Sequence, residues 1–171
     1  MKVMTISGSS GHHSSNALLL DALPALFPQQ SIYRYKALDH LPLFRASIDH
    51  HPWPAEVIQW RKAVAESDAI VISTPEYIHN LPALLKNALE WISTSGELAQ
   101  KRVLAMTFLP TAPRGEKAMQ SLLWSLKALD ARVVAQLPLF RDEILFDDNG
   151  RLLDSDGLAL LRAGLNELGI K

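Results

Sequence analysis

The sequence predicts an α/β fold in which a parallel β-sheet is covered by helices on both faces. Three observations predict it. Short apolar runs alternate with stretches of helical periodicity about five times along the 171 residues, and strand–helix alternation is the pattern of parallel sheets. One run, Ala69-Ile70-Val71-Ile72-Ser73, is apolar and β-branched without alternation, as a strand buried on both faces must be. The composition, 48% hydrophobic and 20% charged, is that of a globular chain, with enough apolar matter for one domain over residues 1–171.

The elements follow in order. Val3–Ser7 is a short apolar run that stops at Gly8 and reads as a strand. Ser9–Ser15 is small and polar, and Asn16 is placed to cap a helix from Ala17 to Phe27, which Pro28 ends. Ile32–Tyr35 alternates and reads as a second strand, and residues 37–53, with Pro42 and Pro52, read as loop. Pro54 suits the first turn of a helix to about Glu66, with Val57, Ile58, Arg61, Val64 and Ala65 on its inner face. After the buried strand, the loop Thr74–Leu81 leads to Pro82 and a helix ending near Ser93. Arg102–Thr107 is the next strand, Leu109–Arg114 a loop, and Glu116–Leu129 a helix with Leu122, Leu123, Leu126 and Leu129 on one side. Arg132–Gln136 is the last strand. Asp148-Asn149-Gly150 marks a turn or small hairpin within Ile144–Leu153, and Leu158–Leu168 closes as a helix.

Composition removes several function classes. With 17 basic against 18 acidic residues and a net charge of −1, no basic stripe points to a nucleic-acid partner. No apolar run approaches membrane-spanning length. The opening Met1–Ser7 reaches Gly and Ser too early for a secretory leader, so a cytoplasmic protein is expected. The absence of cysteine excludes disulfides, thiolate nucleophiles, Cys-ligated zinc and iron–sulfur clusters. Redox chemistry would therefore need a bound cofactor. The six His contain no His-x-x-x-His pair, so no metal site is expected, and no Gly-x-Ser-x-Gly elbow suggests a hydrolase.

Right-handed crossovers place the ligand crevice at the carboxyl ends of the strands. Three loops reach that mouth: residues 8–15, 74–81 and 107–115. In Gly8-Ser9-Ser10-Gly11-His12-His13-Ser14-Ser15-Asn16, backbone N–H groups and hydroxyls gather at the positive end of a helix. That suits a phosphate. Without a Gly-x-Gly-x-x-Gly spacing or a P-loop Lys, a phosphomonoester fits better than a pyrophosphate. A Ser-rich turn with a capping Asn reads equally well. In Thr74-Pro75-Glu76-Tyr77-Ile78-His79-Asn80-Leu81-Pro82, backbone amides could meet a flat heterocycle and Tyr77 offers a π face. Taken alone, Tyr77 and Ile78 read more readily as residues that simply cover the end of the sheet.

In these loops the chain resembles the NAD(P)H-dependent FMN reductases, whose fold is flavodoxin-like. The first loop is in register with the family's Gly-Ser-x-Arg-x-x-Ser-x-Asn. Leu41-Pro42-Leu43-Phe44 matches a family segment, as do Pro75-Glu76-Tyr77 and Leu84-Leu85-Lys86-Asn87-Ala88-Leu89-Glu90-Trp91 after the buried strand. The resemblance covers residues 3 to 93. It implies a three-layer sandwich with five parallel strands in the order 2-1-3-4-5. It also implies that FMN is held by Ser9, Gly11, Ser14, Ser15 and Asn16 at its phosphate. Pro75, Glu76, Tyr77 and Ile78 would lie at its ring, mostly through backbone, with Thr111 from the third loop. NADPH or NADH would be the donor. A quinone, free flavin, azo compound or metal ion would be the acceptor. The assembly would be a homodimer or homotetramer, with Trp91 at the interface or buried in its own chain.

The chain departs from the pattern at three places. Gly11 stands where the family has Arg, Ile78 where it has Asn, and the third loop carries Pro110 and Pro113. His12 or His13 could supply the missing cation, or simply be solvated loop residues. A non-enzymatic flavin carrier and a scaffold that has lost its flavin are the rival readings. No side chain is required as acid or base, so none is assigned as catalytic.

Overall fold

The apolar, β-branched segments pair as one parallel sheet. The computed structural model describes residues 1–11 and 13–170. Strands β1 (Lys2–Ser7), β2 (Ser31–Tyr35), β3 (Ala69–Thr74), β4 (Arg102–Leu109) and β5 (Arg132–Phe140) lie in the order β2-β1-β3-β4-β5. This is the expected order. All six residues of β3, at the centre, are buried.

Helices α1 (Ser15–Leu26) and α5 (Asp156–Glu167) cover one face, and α2 (Ala55–Ala65), α3 (Ala83–Glu90) and α4 (Glu116–Ala128) the other. Successive strand residues point to opposite faces. Val3, Val71, Leu104 and Met106 therefore meet Leu19, Leu23, Leu161 and Leu165. Met4, Ile6, Ile70 and Ile72 meet Trp60, Val64, Leu85 and Leu122.

Several boundaries move, each for a physical reason. The cap of α1 is Ser14, whose hydroxyl accepts from the Ala17 N–H at 3.2 Å; Asn16 is the second residue of the helix, in its first turn, and is buried. The inner face of α2 is Val57, Trp60, Arg61 and Val64, a spacing of i, i+3, i+4, i+7, while Ile58 and Ala65 face solvent. Strands β4 and β5 extend each other. Thr107 pairs with Pro138, Phe108 with Leu139 and Leu109 with Phe140, so residues 107–109 are strand. The expected hairpin forms around Asp147–Gly150. The Asp147 carboxylate accepts from the Asn149 and Arg151 N–H groups, and a bridge joins Phe146 to Leu152. Trp91 is fully buried, its indole N–H donating to the Pro42 carbonyl at 2.7 Å, so it packs within its own chain.

A buried ion pair fixes the long segment between β2 and α2. Arg61 donates to Asp49 at 2.7 Å and to the Trp91 carbonyl at 2.9 Å, and it stacks 4.3 Å from the Trp53 ring. Thr94 donates to the other Asp49 oxygen at 2.6 Å. Burial pushes the Asp49 carboxyl up, but the hydrogen bonds from Thr94 and Arg61 and the Arg61 charge together outweigh it and hold it below the ordinary carboxylate value.

Removing the cation should strand a buried carboxylate. We expect Arg61→Ala to cost about 3–5 kcal/mol in urea unfolding. Because the folded Asp49 value lies below the unfolded one, its contribution is complete above about pH 4 and is lost as pH falls through the lowered folded value. A urea titration below that pH should show this acid limb in the parent and a shallower one in Asp49→Asn.

Candidate active site

Strands β1, β3 and β4 are neighbours at the middle of the sheet, so their three following loops open on one edge. The first leaves β1 unusually close to β3. The Gly8 N–H donates to the Ser73 carbonyl at 2.8 Å, and a Cβ on Gly8 would stand 2.6 Å from the Thr74 hydroxyl oxygen. Only glycine permits that approach. The loop then turns on itself. Gly11 N–H lies 3.4 Å from the Ser9 hydroxyl, and Ser14 N–H donates to the Gly11 carbonyl at 3.0 Å. Ser15 and Asn16 open α1, where main-chain N–H groups have no intrahelical acceptor. Gly11 is exposed, and a Cβ there would meet only ordinary contacts, the nearest at 3.5 Å. Space does not demand a glycine there. His13 is exposed; His12 lies outside the described residues.

Asn16 does something its sequence position does not suggest. Its side chain is 3% exposed. It donates to the Phe108 carbonyl at 3.0 Å and accepts from the Ser73 hydroxyl at 2.7 Å. The amide is committed to the sheet, and what Asn16 can offer a phosphate is its main-chain N–H.

The second loop is a rigid shelf. Tyr77 and Asn80 exchange two main-chain hydrogen bonds at 3.0 Å, closing a two-residue turn in which Ile78 (φ 51°) and His79 (φ 54°) are both left-handed. The Asn80 side chain accepts from the Leu81 N–H at 2.8 Å. Glu76 turns away from solvent. One carboxylate oxygen accepts from the Ala118 N–H at 3.0 Å, and the other lies 3.4 Å from His79 Nδ1. The carboxylate thus caps α4, whose N-cap position is Gly115 and supplies no side chain. Any contact of Glu76 with a ligand falls to its backbone. Tyr77 is half exposed and Ile78 almost wholly so.

The third loop spans residues 110–115, with Thr111 exposed on it. Pro110 and Pro113 have no N–H to give, which leaves Thr111, Ala112, Arg114 and Gly115 as main-chain donors. Beyond this loop runs an open groove of about 700 Å³ between α4 and the end of β5. Met119, Leu123 and Trp124 line one side, and Pro138 and Phe140 the other. Sequence reading missed this groove because it ended β5 at Gln136. It missed the Glu76–Ala118 contact because 42 residues separate the partners and no local pattern marks them.

The loops offer what a phosphomonoester bearing a flat ring needs. There is a helix start with serine hydroxyls beside it, then a stiff shelf of main chain, then a second set of N–H groups.

The chain matches the family model described as NADPH-dependent FMN reductase over residues 1–142. The NADH:(hydroxy)cinnamate reductase subunit CrdA of Vibrio ruber is 32% identical over 166 residues, 94% of this chain and 82% of that protein. A quinone reductase of Escherichia coli is 28% identical over 99% of this chain and 94% of its own length. Among solved structures, the flavoenzyme NAD(P)H:(acceptor) oxidoreductase FerB of Paracoccus denitrificans superposes with a TM-score of 0.80. It covers 99% of this chain and 96% of its own at 17% identity, a likeness of fold. The chain belongs to the NADPH-dependent FMN reductase family, oxidoreductases that work with FMN and NAD(P)H.

Two side chains of the site should register in stability. Asn16→Ala leaves the Phe108 carbonyl and Ser73 hydroxyl unpaired in the interior, and urea unfolding should show a loss of about 2–4 kcal/mol. Glu76→Ala removes the cap of α4, and the same measurement should show about 1 kcal/mol.

Proposed function

We propose that this family member holds FMN across the three loops and passes electrons from NADH or NADPH to a small organic acceptor of the quinone or flavin class. The observation that carries the reading is the convergence at one edge of the capped α1 start and the rigid Pro75–Tyr77 shelf. The hydroxyls of Ser9 and Ser14, with the N–H groups of Gly11, Ser15 and Asn16, surround the phosphate position. The backbone of Pro75, Glu76, Tyr77 and Ile78, with that of Thr111, borders the ring. The group held there would supply the redox chemistry, two-electron exchange between the nicotinamide and the acceptor.

The chain itself supplies position and electrostatics. Main-chain N–H groups of the second and third loops favour negative charge at the ring edge. The Glu76 carboxylate accepts from the Ala118 N–H at the positive end of α4 and lies beside His79, so its charge is directed at the helix start. Donor and acceptor use that mouth in turn. The quinone class is supported by the name of the Escherichia coli relative; azo compounds and metal ions are further acceptors of this kind of site. A cytoplasmic location accords with the sequence reading.

We also place a homodimer or homotetramer contact on α4. Trp124 is 65% exposed there, on a ridge between the groove toward β5 and another toward α3 lined by Leu89, Ala128 and Leu129. Sedimentation of Trp124→Glu should show a smaller species than the parent.

The purified protein should be yellow, or become so with added FMN, and anaerobic NADH or NADPH should bleach it. A colourless protein that takes up no FMN overturns the reading, and a yellow one that neither nucleotide bleaches is a carrier. Replacing Ser9 and Ser14 together by Ala should weaken FMN binding about tenfold in a fluorescence titration.

A further inference from the structure

Ile78 is in a costly conformation that the chain itself does not use. It is β-branched, yet its φ of 51° lies in the left-handed region, which costs an ordinary L-residue roughly 1–2 kcal/mol. Turns with two left-handed central residues favour Asn, Asp or Gly there. No burial offsets the cost, because the residue is 98% exposed. Nor is the turn free to relax. Tyr77 and Asn80 lock it from both sides, Asn80 holds Leu81, and Glu76 is anchored to α4. A stiff turn therefore presents a branched aliphatic side chain to solvent at the mouth of the site. Half-exposed Tyr77 stands beside it, and the nearby carboxylate is turned away. An apolar platform already fixed in place loses little freedom when a ligand covers it.

We propose that Ile78 is a specificity-determining residue that, with Tyr77, selects planar, uncharged, apolar electron acceptors over hydrophilic ones. The inference rests on the flavin-reductase reading above. Its ligand is an acceptor with an apolar ring edge, such as an unsubstituted naphthoquinone. A charged complex such as ferricyanide gains nothing from the platform.

The test uses the FMN-loaded parent, Ile78→Asn and Ile78→Leu. In Ile78→Asn, the ratio of kcat/KM for 1,4-naphthoquinone to that for ferricyanide should fall about tenfold, mainly through the quinone KM, while Ile78→Leu keeps the parent ratio within about twofold. Equilibrium titration of oxidised protein with the naphthoquinone should show the same loss of affinity for the Asn variant. Its Tm should rise by a few degrees, since Asn tolerates the left-handed turn. FMN affinity is measured first on each sample. A parent that binds no FMN overturns both readings. A parent that binds FMN, with an unchanged acceptor ratio in Ile78→Asn, overturns this inference alone. A change of sedimenting mass in Ile78→Asn without a change of ratio also overturns it, by assigning the side chain to a contact between copies.

Discussion

The buried amide of Asn16 is the constraint on which the site depends. A doubly wound sheet guarantees that the loops after β1, β3 and β4 leave by the same edge. It does not guarantee their spacing to within an ångström. Asn16 supplies that spacing by donating to Phe108 on β4 and accepting from Ser73 on β3 while standing in the first turn of α1. One side chain thus sets the start of α1 against both of the other strands that feed the mouth. In a buried setting each bond is worth more than in water, and each unpaired end costs more.

A second strut completes the frame. Gly115, with φ of 95°, lets the third loop fold tightly over Leu109 and Thr107. A glycine at that point leaves α4 without a capping side chain. Glu76 provides the cap from the neighbouring loop, so the Pro75–Tyr77 shelf and the start of α4 hold each other. Sites built this way keep their geometry because every flexible segment is tied to a regular element.

What the sequence discloses here follows from range. The unbroken apolar run of β3, the helical spacing of α4 and the Asp148–Gly150 turn are local patterns, and each formed where local patterning placed it. Asn16 looks like a cap because caps are judged by neighbours three residues away, whereas its partners lie 57 and 92 residues distant. Ser14, two residues earlier, had the same cap chemistry and the better position. Trp60 displaced Ile58 from the inner face of α2 because its indole N–H reaches the Ala88 carbonyl on α3 at 2.9 Å, a tertiary contact invisible to periodicity. The far ends of β4 and β5 support each other in pairing, so neither could be measured from its own residues. The first two site loops were legible because glycine, serine and proline punctuate them, while their side-chain commitments were not.

The extended β5 also governs how the sheet ends. It is an edge strand, and an unprotected edge invites another chain to continue the hydrogen-bond ladder. Pro138 sits within it, and a proline in an edge strand belongs where its missing N–H would face outward. Having no N–H, Pro138 offers a further strand one donor fewer. A single residue without an N–H thus makes this edge of the sheet a poorer template for the addition of another strand.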